Sequence, residues 1–338
     1  MAKSKFQTIV EVPKFLWETG YGKKNLFMGS CFTENVGNKM AALKYVVDIN
    51  PFGILYNPMS VANALELLLN EKVFSENDLI RHNDLWHSFS HHGRFSANEK
   101  NEALQKINDR IHTSSDFLKH TDFLFLTFGT AWIYRYKKSG EVVSNCHKIP
   151  AKEFTRERLS VTEIVEKYTG LLHSLWEVNP KLKVIFTVSP IRHWKDGAIE
   201  NQRSKATLLL AVEELVQLFA NDKCAYFPSY EIVMDELRDY RFYAEDMLHL
   251  TDVAVNHIWE IFEESLIDRE SKRVAKEIKK IVLAINHKPF NKRSAEYLNF
   301  LQKTAKMIAE LEEKSLHFNL KLEKDYLNVQ LKEFRLLD

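Results

Sequence analysis

The chain has no cysteine pair to staple it: its 338 residues include three cysteines, Cys31, Cys146 and Cys224, far apart and outside any CxxC spacing. An odd, dispersed set offers neither a disulfide framework nor a zinc site, and it fits a reducing compartment. No charge excess is present either. Lys plus Arg total 47 against 46 acidic residues, so there is no long-range field to hold nucleic acid or an anionic membrane surface. A nucleic-acid partner is therefore not expected. No segment approaches the roughly 20 apolar residues of a membrane span. The opening MAKSKFQTIVEVPKFLWETGYGKK lacks the apolar core and small-residue cleavage site of a secretory signal. The expectation is a cytoplasmic protein with no membrane partner. The GxGxxG and GxxxxGKS/T loops that cradle phosphates are missing as well, which weakens dehydrogenase and kinase readings. Neither a metal nor another cofactor is expected, and there is no internal repeat or low-complexity segment.

What is there is a chain long enough to bury a full core, as one large α/β domain with additions or two modest domains. Apolar, β-rich runs fall at Asn25 to Met28, Tyr45 to Asp48, Phe123 to Phe128, Lys183 to Val188 and Cys224 to Phe227. Helical patterns lie between them. Asn57 and Pro58 form a cap and first-turn pair before Val61, Leu65 and Leu68. Ser96 with Glu99, and Ser160 with Glu163, have capping-box spacing before amphipathic runs. Leu208, Val212, Leu215 and Phe219 mark a further helix. Alternating strands and helices imply parallel pairing through right-handed crossovers, hence a layered α/β domain. Two parts interrupt the alternation. AWIYRYKKSGEVVS reads as a hairpin turning around Ser139 and Gly140, an insertion spanning about 131–150. Beyond about Ile267 the composition changes to charged amphipathic helices, from Arg269 to Ile285 and from Arg293 to about Lys324. The expected division is an α/β domain over 1–267 and a helical extension over 268–338, packing on that domain or joining two copies in a homodimer.

Two stretches carry candidate chemistry. In NLFMGSCFTENVGNKM a short buried strand ends at Gly29, and Ser30 opens the following helix. A side chain there stands at the carboxyl end of a strand, where ligands of open parallel sheets bind. In YRFYAEDMLHLTDVAVNHIW, Asp246 and His249 are three residues apart, just before Thr251, a cap for the next helix. The carboxylate is placed to hold the imidazole Nδ1 proton and leave Nε2 free to take a proton from a hydroxyl, which activates a weak serine nucleophile. Other polar groups are weighed beside these. His87, His91 and His92 lie in WHSFSHHGRFS, which reads as a substrate-facing loop more than a metal site, since no carboxylate sits inside it. Cys146 and His147 are adjacent, so their side chains point apart. Arg192 and His193 follow the fourth strand at the same edge as Ser30, with Arg192 suited to grip a carboxylate or phosphate. Ser204 and Lys205 read as the start of a helix, and Trp86, Trp132 and Trp194 offer flat faces for a sugar or aromatic ligand.

GSCF at Gly29 to Phe32, NPFGILYNP at Asn50 to Pro58, TFGTAWIY at Thr127 to Tyr134, NCHKIP at Asn145 to Pro150, VSPIRH at Val188 to His193 and DMLH at Asp246 to His249 together resemble the GSCFA family, related to the SGNH or GDSL-like hydrolases. The resemblance covers about Asn25 to Ile267 and implies a three-layer α/β/α sandwich around a mostly parallel, five-stranded, flavodoxin-like sheet. It implies Ser30 as nucleophile, Asp246 and His249 as its partners, and the N–H of Gly53 joining that of Ser30 in an oxyanion hole. The sequence departs from the hydrolases at Gly129-Thr130-Ala131-Trp132, where they carry Gly-x-Asn-Asp, so the Asn donor is missing. The Thr130 hydroxyl is the first replacement considered and Asn57 the second. The implied activity is hydrolysis of a small-molecule or carbohydrate acyl ester, with carbohydrate O-deacetylation preferred. Acyl transfer by the same residues and a non-catalytic binding protein are the alternatives.

Overall fold

The computed structural model describes residues 8–219, 223–313 and 318–335. Each of the five apolar runs forms a strand of one sheet: β1 Lys24–Gly29, β2 Val46–Ile49, β3 Phe123–Phe128, β4 Lys183–Val188 and β5 Cys224–Tyr226. All neighbours pair in parallel, in the order 5-4-3-1-2. This is the flavodoxin-like order, in which the chain reverses direction of growth between β1 and β3.

Alternation along each strand divides the interior into two cores. Leu26 and Met28 of β1, with Leu124, Leu126 and Phe128 of β3, face one layer of helices. That layer is α2 Pro58–Leu69, α3 Lys100–Lys119, α4 Val161–Val178 and α5 Gly197–Leu218. Phe27, Phe123, Phe125 and Ile185 face the other, built by α1 Cys31–Ala42 and α6 Asp252–Leu266. Covering both faces is what a parallel sheet requires, and each large apolar side chain fully buried there contributes about 1.5–3 kcal/mol.

Three C-terminal helices, α7 Arg269–Asn286, α8 Ala295–Glu312 and α9 Lys321–Arg335, join the second core through Ala275, Ile278, Ile281, Tyr297, Leu301, Ile308 and Leu327. Part of their apolar surface is thus covered within the chain, while Leu283, Leu322 and Val329 stay exposed. The run read as one helix from Arg293 to about Lys324 is two, α8 and α9; part of the connection lies outside the described residues.

Caps set several helix starts. Asn57 accepts from the Ser60 N–H at 2.8 Å, and Pro58 occupies the first turn of α2. Ser160 and Glu163 form a reciprocal capping box on α4. The Ser96–Glu99 pair does not: Glu99 stands at the α3 N-cap, and the Ser96 hydroxyl lies 2.6 Å from His87 Nδ1. The insertion after β3 is a three-stranded antiparallel sheet, Trp132–Tyr136 pairing with Val142–Val143 on one side and with Phe154–Arg158 on the other. The third of these strands carries alternating charges and goes unrecognised in the sequence, because its partner lies about twenty residues away and most of its side chains are exposed.

Candidate active site

Ser30 sits on the turn from β1 into α1, at the switch point of the sheet, as the N-cap of α1 with extended backbone (φ −71°, ψ 174°). Gly29 makes that turn possible. Its φ is +138°, and a Cβ there would stand 2.1 Å from the Thr127 carbonyl oxygen of the neighbouring strand. The Ser30 side chain does not cap the helix. It is buried, and its Oγ has no hydrogen-bond partner among the described residues. A buried hydroxyl ordinarily finds one, because leaving it unpaired costs about 1–3 kcal/mol.

What surrounds Ser30 comes from loops far apart in sequence. A methyl group placed on Gly129, after β3, would lie 3.4 Å from His193 Nε2, 3.6 Å from Ser30 Cβ and 3.1 Å from the Tyr56 carbonyl oxygen. Lacking a side chain, Gly129 leaves a methyl-sized gap between His193 and Ser30, the candidate crevice. The His193 ring packs edge-on against Tyr56, with centroids 5.1 Å apart, and among the described residues its ring nitrogens have no hydrogen-bond partner. Burial, helped by the Lys205 and Arg156 charges, pulls the His193 imidazole down to about 4, so it is neutral at pH 7. Asn50, after β2, accepts the Gly29 N–H at 2.9 Å through Oδ1, while its buried Nδ2 is unpaired.

The oxyanion donors expected from the resemblance are engaged in the fold. The Gly53 N–H closes a turn onto the Asn50 carbonyl at 2.8 Å, and the Ser30 N–H points at the Thr127 carbonyl at 3.3 Å. The Gly129 and Thr130 N–H groups both donate to the Tyr56 carbonyl, at 2.7 and 2.9 Å. The Thr130 hydroxyl pairs with that of Ser204 at 3.1 Å and accepts the Trp132 N–H at 3.2 Å. Asn57 spends its carboxamide on Ser60. Neither proposed replacement donor is free; unpaired side-chain donors among the described residues after β1, β2 and β3 include Asn50 Nδ2, Thr33 Oγ1 and Trp132 Nε1, and the His193 ring is a further one.

Asp246 and His249 do meet. His249 Nδ1 lies 2.5 Å from Asp246 Oδ2, while the other carboxylate oxygen accepts the N–H groups of Leu248 and His249 at 2.9 Å each. These hydrogen bonds, the imidazole first, hold the Asp246 carboxyl down at about 2. The local reason is a tight turn with Met247 in the left-handed region (φ 58°), followed by the Thr251 cap of α6. The pair is exposed, whereas Ser30 is 1% exposed, and no imidazole is hydrogen-bonded to the Ser30 hydroxyl.

Two residues read as a helix start turn out to lie mid-helix and buried. Ser204 accepts the Ala131 N–H at 2.7 Å, and Lys205 Nζ donates to the carbonyls of Gly129 and Ser189 at 2.6 Å each. Lys205 thereby clamps the ends of β3 and β4 that frame the crevice. Burial pulls its ammonium down to about 7. The signal was available: extending the periodicity of Leu208, Leu215 and Val212 backwards puts Ser204, Lys205 and Asn201 on the buried face of α5.

The thiols are poor rivals. Burial pushes both Cys31 and Cys146 up from the ordinary thiol range, so each stays protonated. The histidine loop is internal. His87 uses Nδ1 on Ser96 and Nε2 on the His82 carbonyl, stacks on His147 at 4.3 Å, and His147 Nε2 meets the Ser88 carbonyl at 2.8 Å. Among the described residues there is no group of three or more His, Cys, Asp or Glu placed to hold a metal ion. Nor is any helix among them long and apolar enough to cross a membrane. Of the tryptophans, Trp86 and Trp132 each carry a cation over the ring, Lys100 at 4.7 Å and Arg156 at 4.2 Å, leaving Trp194 as the exposed one.

The fold defines a three-layer α/β/α protein with an unbonded serine at its switch point and an Asp–His pair on a loop beyond the last strand. The chain belongs to the GSCFA family, whose model matches residues 24–262, and the model of the GSCFA C-terminal domain matches residues 278–333. No curated protein matches it. Among solved structures it is similar to a carbohydrate esterase family 3 protein from Talaromyces cellulolyticus, at 11% identity and a TM-score of 0.34, covering 76% of this chain and 99% of that one.

Proposed function

We propose that the protein is a serine hydrolase of the SGNH type that cleaves a short acyl ester, an acetyl ester before others. The observation that carries this reading is the buried, unpartnered Ser30 hydroxyl on the β1–α1 turn at the switch point. Ser30 Oγ attacks the acyl carbon and His249 Nε2 takes its proton. Asp246 keeps the tautomer and stabilises the imidazolium. The tetrahedral oxyanion receives the Nε2–H of neutral His193, with Asn50 Nδ2 as the second donor. On collapse the alcohol leaves with the proton from His249. Water, deprotonated by the same ring, then releases the carboxylic acid from the acyl-enzyme.

The division of labour between the two histidines follows from their surroundings. His249 has a carboxylate to support a positive charge, as a base needs. His193 has no carboxylate and is held neutral by burial, which suits a donor and not a proton acceptor. The Nε2 of His249 has to close on Ser30 when substrate fills the crevice, since catalytic hydrogen bonds often tighten only then. The confined space over Gly129 favours a small acyl group.

The test is labelling by a fluorophosphonate and hydrolysis of p-nitrophenyl acetate, with Ser30→Ala as control. Labelling and turnover that both vanish in the variant, with its melting temperature unchanged, are expected. Turnover that survives in Ser30→Ala overturns the assignment.

A further inference from the structure

Beyond the crevice, a cavity of about 310 Å³ opens between the loop after β4 and the segment that leads to Asp246 and His249. Arg192, Met234, Arg238, Tyr240, Tyr243 and Met247 line it. Arg192 immediately precedes His193, and Met247 lies inside the Asp246–His249 turn, so the cavity is bounded by the two loops that carry the proposed donor and the proposed base.

Its charge is uneven. Neither Arg192 nor Arg238 has a carboxylate partner among the described residues. Among the described residues the Arg192 guanidinium meets the Met234 sulfur at 3.7 Å, a contact that leaves its charge unneutralised. The one acidic group on the wall, Asp239, is paired with Arg241 at 3.6 Å. Surface arginines with carboxylates nearby usually pair, and two unpaired guanidinium forks around one concavity match the geometry of a carboxylate or phosphate. The apolar part has a matching shape. Tyr240 is 78% exposed and Met247 54% exposed at the rim, and the Tyr240 ring lies 6.4 Å from that of Tyr243. An exposed tyrosine face gives a platform for a ring at little entropic cost.

We propose that this cleft binds an anionic sugar ring, the alcohol part of the substrate ester, with Arg192 and Arg238 gripping its carboxylate or phosphate and Tyr240 stacking on the ring. The inference rests on the hydrolase reading for its orientation, since the acyl group then points toward Ser30, and it adds the substrate class.

Binding is measured separately from turnover, on the full chain carrying Ser30→Ala, by tyrosine and tryptophan fluorescence titration with glucuronic acid, glucose 1-phosphate and glucose. Tighter binding of either anionic sugar than of glucose is expected, and the preferred one identifies the anion as carboxylate or phosphate. Arg192→Gln combined with Arg238→Gln weakens that binding by about 10- to 100-fold, the loss of charge-assisted bonds. Tyr240→Ala weakens the anionic and neutral sugars by a similar factor. In the Ser30 enzyme, an acetylated glucuronide or glucose phosphate is hydrolysed with a lower KM than acetylated glucose, and the double arginine variant removes the difference. Equal binding of all three sugars, no binding of any, or binding indifferent to the arginines overturns the proposal. Loss of Ser30-dependent turnover with sugar binding intact would instead remove the hydrolase reading alone.

Discussion

At the scale of single residues, the crevice around Ser30 is a matter of which polar groups the fold leaves unspent. Backbone N–H groups of Ser30, Gly53, Gly129 and Thr130 all point at carbonyls, so an oxyanion there meets side chains first. His193 and Asn50 are the proposed ones, and losing one such donor costs about 3–4 kcal/mol of transition-state stabilisation. His193→Ala is therefore expected to lower kcat on p-nitrophenyl acetate by roughly 10²- to 10³-fold. His193→Asn restores an amide donor but no base, and should recover a good part of that loss. His249→Asn, which removes the proposed base, should be about as damaging as losing Ser30, because members of such a triad would act as a unit. If His193→Asn is as inactive as His193→Ala while His249→Asn stays active, the two histidines have exchanged roles.

At the scale of elements, α5 does more than cover the sheet. Its buried Lys205 ties together the first carbonyl groups beyond two strands, those of Gly129 and Ser189, and Ser204 holds the backbone after β3. Lys205→Met fills nearly the same volume but orphans two buried carbonyls, at about 1–3 kcal/mol each. A loss of about 2–6 kcal/mol in urea unfolding is expected, together with reduced activity, since the Gly129 and Ser189 loops frame the crevice. A variant as stable as the parent would mean that the carbonyls find other partners. The contrast with the Ser160–Glu163 box is instructive. That cap is local, and its spacing of three residues announces it; Lys205 is polar on an apolar helix face, and only its distant partners explain it.

At the scale of the whole molecule, three histidines tie stability to pH, His91 and His147 buried and His193 half-buried. Burial pulls His91 down to about 3 and His147 and His193 down to about 4, against an unfolded value of about 6.5. Between these values the unfolded chain binds more protons than the folded one, so acid favours unfolding. Stability is fully present above about pH 6.5 and falls as pH drops toward 4, by on the order of 3 kcal/mol at most for each ring. The urea midpoint should already decline from pH 6.5 to 5, above the range where carboxylates titrate. His91 is surrounded by Phe52, Phe74 and Phe95, with Nε2 unpaired, so His91→Met should flatten that decline. A midpoint unchanged between pH 7 and 5 would show that the rings are protonated without cost.

Much of this was legible in the chain itself. The five strands follow from runs of apolar residues, because a strand buried on both faces needs side chains of one kind at every position. The caps at Asn57, Ser160 and Thr251, and the Asp246–His249 contact, follow from spacings of three residues, because such contacts close within a single turn. Ser30 could be placed at a strand end for the same local reason. What only the tertiary structure decided is which groups meet over Gly129. Strand order 5-4-3-1-2 brings the ends of β1, β3 and β4 together, so Ser30, Gly129 and His193 become neighbours across more than 160 residues of sequence. No local pattern records that adjacency, and none records that the expected oxyanion N–H groups would be taken by turns and loop carbonyls, since hydrogen-bond partners are set by the packing of whole loops.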